Sequence, residues 1–284
     1  MKTILVPTDF SHNAECALTY AVALAKKEKA KLILLHAYHL HYSLPTTSDE
    51  YYTQAISAKE NIANEYQRQL CHEIKREHNV DCEYKSKYGL AVDVILETAG
   101  KIRADLIIMG TKGASGLQQL FLGSNTAKVI EEAKCPVIAV PAEAKFKGIK
   151  KITFATDYFE SDISSLKKMV EIATLFHSRI TIIHVSDDEF TLESEKDLMQ
   201  TFKAKIHKQI DYENIHFEIV HGNDLERSLA KHIEQENPDL LAMSTHHRSF
   251  LDKLFEGSIT KRMAFHTRVP LLVFHHKTES VVFL

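Results

Sequence analysis

The chain has 284 residues, enough for about two domains of ordinary size. Hydrophobic residues make up 44% and charged residues 26%, with a formal net charge of −3, a balance that lets a globular chain bury a core. That charge gives no footing for a nucleic acid or an anionic membrane as partner. No window reaches the roughly 18 uninterrupted apolar residues of a membrane helix.

The opening, MKTILVPTDF, holds too few apolar residues before Asp9 for the roughly 7–15 of a secretory h-region. The expectation is a cytoplasmic protein. TILVP reads as a strand buried on both faces, because it is nearly continuous in apolar, β-rich residues. HNAECALTYAVALAKKEK follows as an amphipathic helix with Ala14, Ala17, Leu18, Ala21, Val22 and Ala25 on one face. KLILLHAY is the next strand. A long helix, polar on one side, runs from about Tyr51 to His78, and a third helix begins near Val92. DLIIMG is again a strand, a fourth helix starts at Ser124, and PVIAV closes the series after Cys135 and Pro136. Strands alternating with helices imply parallel strands joined by right-handed crossovers. Residues 142–149 form a short polar linker. The tail TESVVFL is a candidate edge strand.

The chain repeats itself once. KTILVPTDFS (2–11) resembles KKITFATDYFES (150–161), and LILLHA (32–37) resembles ITIIHV (180–185) at the same offset. Later, ADLIIMGT matches PDLLAMST, LFLGS matches LFEGS, and CPVIAV matches VPLLVF, in the same order. A single long period is a duplicated domain, not a solenoid. The fold class read from this is α/β: two tandem doubly wound, Rossmann-like domains, 1–142 and 150–284, each with a five-stranded parallel sheet. The apolar last strands PVIAV and PLLVF suit packing as a pseudo-two-fold pair. Ligands of such sheets sit at the carboxyl ends of the strands, where the strand order reverses.

Four cysteines, Cys16, Cys71, Cys82 and Cys135, lie in the first half without a C-x-x-C pair, which reads as reduced thiols and not a disulfide framework. Cys16 and Cys135 read as small core residues. Cys71 and Cys82 are expected nearer the surface. The 17 histidines raise zinc as an option. However, no H-E-x-x-H or H-x-x-E-H spacing occurs, so ordinary hydrogen-bonded histidines are the better reading.

The most informative stretch is MGTKGASGLQQLFLGSNTAKVI, residues 109–130. Its spacing, Gly110, Gly113, then Gly123-Ser124, differs from both the P-loop and G-x-G-x-x-G patterns, so Lys112 is not a Walker lysine. The logic is nevertheless one of phosphate binding. Gly110 ends a strand, Gly113 lets a backbone amide approach an anion, and Gly123-Ser124 opens a helix whose free N–H groups favour negative charge.

This loop after a D-L-I-I-M strand, the start ILVPTDFS, and the L-L-H-A and C-P-V-I-A-V segments together resemble the universal stress protein family over almost the whole chain, twice. The resemblance implies ATP bound across the switch point, with Mg²⁺ or Mn²⁺ on its phosphates. Carried over residue by residue, it implies that Pro7, Thr8 and Asp9 border the adenosine and Ala37 faces the adenine. It implies further that Met109 and Gly110 flank the ribose and phosphates, while Gly113, Gly123, Ser124 and Asn125 hold the triphosphate. Asp9 has an alternative role at the first helix start, where Ser11 competes with it. In the second half Ser244 and His247 replace Gly110 and Gly113, Ala155 replaces Pro7, and Asp157 persists. Weak or absent ATP binding is expected there, with His246, His247 and Arg248 as an alternative anion site.

The functional expectation is an ATP-binding stress-response regulator that is not an enzyme, since no general base or pair of metal-binding carboxylates is evident in the loop. The alternatives are an interaction scaffold with no obligatory ligand and a slow ATPase. Beyond ATP, the partners expected are a second copy of the chain and a protein partner that the sequence does not name.

Overall fold

The computed structural model describes residues 1–39, 49–111, 122–186, 192–222, 224–244 and 268–275. The chain divides into two compact units, Met1–Phe146 and Lys147–Leu284.

The first unit runs β1 (Thr3–Pro7), α1 (His12–Glu28), β2 (Lys31–Tyr38), α2 (Asp49–His78), β3 (Cys82–Tyr88), α3 (Ala91–Ile102), β4 (Leu106–Gly110), α4 (Ser124–Glu132) and β5 (Val137–Val140). Its strands lie in the order β3-β2-β1-β4-β5. Each neighbouring pair is parallel. The second unit repeats the plan with β6 (Lys151–Ala155), α5 (Glu160–Phe176), β7 (Arg179–Ser186), α6 (Leu192–Gln209), β8 (Ile215–His221), α7 (Leu225–Glu236), β9 (Leu240–Ser244) and β10 (Leu271–Phe274). Its order, β8-β7-β6-β9-β10, is also parallel throughout. Each unit is thus a doubly wound α/β domain. The chain steps outward from the central strand through two strands, then crosses back to the other side.

The central strands are the most apolar because helices cover both faces. Ile4, Leu5, Leu32, Leu34, Ile107 and Ile108 in the first unit, and Phe154 and Ile183 in the second, are almost wholly buried. Burial of each such side chain contributes about 1.5–3 kcal/mol. The third strand departs from this pattern. CEYKSKY is largely exposed or half-buried because it lies at the edge of its sheet.

Two aspartates fix the amino ends of the central strands. Asp105 Oδ2 accepts from the N–H groups of Lys2 (2.7 Å) and Thr3 (2.9 Å). Asp239 Oδ2 accepts in the same way from Lys150 and Lys151, at 2.7 and 2.9 Å. The A-D-L and P-D-L repeats therefore record a clamp between neighbouring strands. Helix ends repeat as well: Lys29 and His177, then Arg103 and Asn237, cap equivalent helices in the left-handed conformation. Each cap donates its N–H back into the last turn, which offsets the conformational cost.

The cysteines correct the sequence reading. Cys71 on α2 and Cys82 at the start of β3 form a disulfide, with Cα atoms 5.2 Å apart. Cys71 is buried, not surface-lying, because it faces the edge strand. Cys16 and Cys135 keep their thiols and are half-buried. The expected C-terminal edge strand lies outside the described residues. Among the described residues, no helix is long and apolar enough to cross a membrane.

The Cys71–Cys82 bond spans a sequence separation of 11, a restriction of the unfolded chain worth about 2–3 kcal/mol. Chain denatured without reductant should expose two reactive thiols, and four after reduction. Cys82→Ser should lower unfolding stability by about that amount in oxidising buffer only. Four reactive thiols before reduction would contradict the pairing.

Candidate functional site

The site of the first unit starts with the turn that leaves β1. Thr8 N donates to Leu35 O at 2.8 Å, which continues the β1–β2 ladder one residue beyond β1. His36 Nδ1 lies 2.8 Å from Thr8 O. A carbonyl oxygen only accepts, so Nδ1 carries the proton. Thr8 Oγ1 accepts from Phe10 N at 3.1 Å, and Phe10 adopts the left-handed conformation with φ of 62°. An aromatic residue in that region costs about 1–2 kcal/mol. Phe10 stacks on His36, with ring centroids 4.6 Å apart, and meets Tyr66 edge-on at 4.7 Å. These contacts offset the cost.

Past this turn, Asp9 Oδ1 accepts from both Ser11 N (3.1 Å) and Ser11 Oγ (2.6 Å). Ser11 in turn caps α1 by accepting from Ala14 N at 3.4 Å. Ser11 is therefore the N-cap, and Asp9 supports it from the preceding turn.

On the other side of the switch point, β4 ends at Gly110. A Cβ there would lie 2.8 Å from Asn13 O. The glycine is required by the close approach of the α1 start, not by a left-handed φ. Thr126 Oγ1 donates to Gly110 O at 2.9 Å and ties the first turn of α4 to the end of β4. Gly123 is the N-cap residue of α4, and Ser124 is its first helical residue. Gly123 N is already committed to Thr111 O at 2.6 Å. The N–H groups of residues 124–126 precede any carbonyl they could reach within the helix.

Between these elements lies an open cavity of about 540 Å³, counted with its solvent-filled mouth. From β1 and its turn come Pro7, Thr8 and Asp9, and from β2 come Leu35 and Ala37. Met109 and Gly110 enter from β4, Asn125 and Thr126 from α4, Ala14 from α1, and Ala91 and Ile95 from α3. Seven of the ten residues expected from the sequence are thus brought together: Pro7, Thr8, Asp9, Ala37, Met109, Gly110 and Asn125. Gly123 and Ser124 stand beside the cavity at the helix start without lining it. Gly113 and Lys112 lie outside the described residues.

Ala14, Leu35, Ala91 and Ile95 escaped the sequence reading. They are apolar residues on ordinary core faces, whose role as cavity wall appears only when helices and strands converge. Thr126 is legible in the sequence beside Asn125 as a donor in the first turn of the helix, and it lines the cavity.

Nearby groups are held protonated. Burial, then the hydrogen bond to Glu60 at 2.8 Å, pushes the Tyr38 hydroxyl up to about 12. Burial raises the Cys16 thiol, with Glu15 and Glu143 adding to the effect, so this thiol is a poor nucleophile at neutral pH. Among the described residues, no group of three or more His, Cys, Asp or Glu side chains is placed to hold a metal.

The second unit reproduces the turn. His184 Nδ1 lies 2.8 Å from Thr156 O, Tyr158 N donates to Thr156 Oγ1 at 2.9 Å, and Tyr158 has φ of 63°. Asp157 Oδ1 lies 3.5 Å from His184 Nδ1. Burial, then Glu195 and Asp157, drives the Tyr158 hydroxyl well above its usual range. His246, His247, Arg248 and the Gly257-Ser258 pair lie outside the described residues.

A family model described as the universal stress protein family matches residues 1–141 and again 148–275. A universal stress protein of Thermus aquaticus is 33% identical over 142 residues, which cover 49% of this chain and 98% of that protein. One from Methanocaldococcus jannaschii is 31% identical over 149 residues, covering 51% and 84%. The crystal structure of a universal stress protein from Archaeoglobus fulgidus superposes with a TM-score of 0.72 at 20% identity, covering 97% of this chain and 98% of the other. That last likeness bears on the fold alone.

Gly110→Ala tests the packing at the switch point. The added methyl would press on the Asn13 backbone, so unfolding stability should fall by about 1–3 kcal/mol in a denaturant titration. Wild-type stability would show that the α1 start can retreat without cost.

Proposed function

This chain belongs to the universal stress protein family, and we propose on that premise that its first unit binds ATP and acts as a nucleotide-dependent regulator in a stress response. The observation that carries this reading is the cavity at the switch point of the first sheet, with its wall divided into two chemistries. Ala14, Leu35, Ala37, Ala91, Ile95 and Met109 offer an apolar slot suited to a purine. Thr8, Asp9 and Asn125 add polar groups to the wall, and Thr126 ties the start of α4 to the end of β4 beside it. The N–H groups of residues 124–126 at the start of α4 favour an anion.

The donor set fits a nucleotide better than a free metal. Among the described residues, Asp9 is the single acidic residue of the cavity wall. A divalent cation, Mg²⁺ or Mn²⁺, would therefore arrive on the phosphates, supplying charge neutralisation, with Asp9 as its nearest carboxylate from the protein. The hydroxyl proton of Thr8 has no acceptor among the described residues and is available to the ligand.

We propose further that occupancy is the function, without catalytic turnover. His36 Nδ1 is committed to Thr8 O, and Asp9 accepts two hydrogen bonds from Ser11. Both groups thereby serve the turn that shapes the site. Regulation then requires that ATP favour one conformation or one protein partner over another by differential affinity.

Titration of Mg-ATP into chain stripped of co-purified nucleotide should give one site. Thr8→Val removes a hydroxyl donor and should weaken binding about 5–15-fold, the equivalent of a hydrogen bond of about 1–1.5 kcal/mol. Gly113→Asp should abolish binding. No binding by folded wild-type chain would reject the reading in favour of a scaffold, and steady release of ADP would identify an ATPase.

A further inference from the structure

The two units share one turn but spend the threonine hydroxyl differently. In the first unit Thr8 Oγ1 accepts from Phe10 N, and the threonine lines the cavity. In the second unit Thr156 Oγ1 accepts from Tyr158 N in the same way, but its hydroxyl donates to Asp162 Oδ2 at 2.7 Å. Pro7–Ala14 aligns with Ala155–Asp162 without a gap, so Asp162 stands where Ala14 forms the cavity wall. The Asp162 side chain is wholly buried, and its second oxygen, Oδ1, has no hydrogen-bond partner.

A second pair of replacements lies alongside. Ser244 takes the place of Gly110, and Ser165 that of Ala17. Both are buried, and their hydroxyl oxygens are 3.1 Å apart. In the first unit a Cβ at Gly110 would collide with the α1 start. In the second, that position carries a side chain bonded to the helix packed against it.

We propose that Asp162, supported by Ser244, closes the second unit to nucleotides and so limits the chain to one nucleotide site. Three physical effects combine. The carboxyl group fills volume that an alanine leaves open. It takes the threonine hydroxyl that the first unit keeps for its ligand. It also places an acceptor beside the path of an anionic ligand that presents only acceptors in return.

This inference deepens the reading of the first unit and rests on it. AMP is the probe, because it needs less of the loop whose sequence differs between the units at Gly113 and His247. Three forms of the full chain, stripped of nucleotide, would be titrated with AMP by calorimetry: wild type, Ala14→Asp, and Asp162→Ala/Ser244→Gly. Wild type should bind one equivalent. Ala14→Asp should lose at least tenfold in affinity with its circular dichroism unchanged. The double variant should take up a second equivalent at millimolar AMP. A folded Ala14→Asp chain with wild-type affinity would overturn the proposal, as would a double variant that stops at one equivalent. Should Ala14→Asp fail to fold, the double variant decides alone. A wild-type chain that binds neither AMP nor Mg-ATP overturns instead the reading of the first site, and is recognised before either variant is titrated; one that binds Mg-ATP alone is carried through the same three titrations with Mg-ATP.

Discussion

The hydrogen bond from the His36 ring to the Thr8 carbonyl joins the ends of two parallel strands just where their ladder gives out. Beyond that point β1 must turn away toward α1 while β2 continues, so the Thr8 carbonyl loses its strand partner. The imidazole supplies the missing donor and at the same time forms the surface on which Phe10 stacks. That stacking allows Phe10 to hold a left-handed backbone, and the backbone in turn sets Asp9 and Ser11 in place to start the helix. The second unit repeats the same chain of dependence with His184, Thr156 and Tyr158. A device kept in both units is a requirement of the fold first, and a ligand can use it only because the fold already demands it.

What differs between the units is the lining of the space beneath that turn. The first unit surrounds it with Ala14, Ala37 and Gly110, and the second has Asp162, Val185 and Ser244 at the equivalent positions. Backbone topology is insensitive to these exchanges, since strand order and register are preserved. A doubly wound sheet opens a crevice wherever adjacent connections leave in opposite directions. The size of the side chains at its mouth then decides whether the crevice is a cavity or a filled core. One duplicated scaffold thus lines the equivalent crevice differently in its two copies through a handful of changes.

The disulfide between α2 and β3 lies away from the cavity lining. It fastens the edge strand, which has a partner on one side only within its own unit's strand order and few buried side chains of its own. Tyr38 and Glu60 add a second tie between the same long helix and the strand next to it.

The duplication, the central strands, the parallel order they imply and most of the residues that line the cavity are legible in the amino-acid sequence alone. All of these leave local marks: continuous apolar runs for strands covered on both faces, glycines where a backbone must come close, and a repeated order of blocks. The edge strand β3 left no such mark, because only a strand buried on both sides must be apolar, and CEYKSKY is not. The pairing of Cys71 with Cys82 was likewise invisible, since nothing in their spacing says that a helix and a strand place them 5.2 Å apart at the Cα atoms. The reason for Gly110 was not a turn but the backbone of Asn13, a contact between elements far apart in the chain. Ala14 reads in the sequence as part of a helix's apolar face, and Asp162 carries no local mark. That both face the turn after the central strand depends on how the helix returns across the sheet, a long-range packing relation that no local pattern encodes.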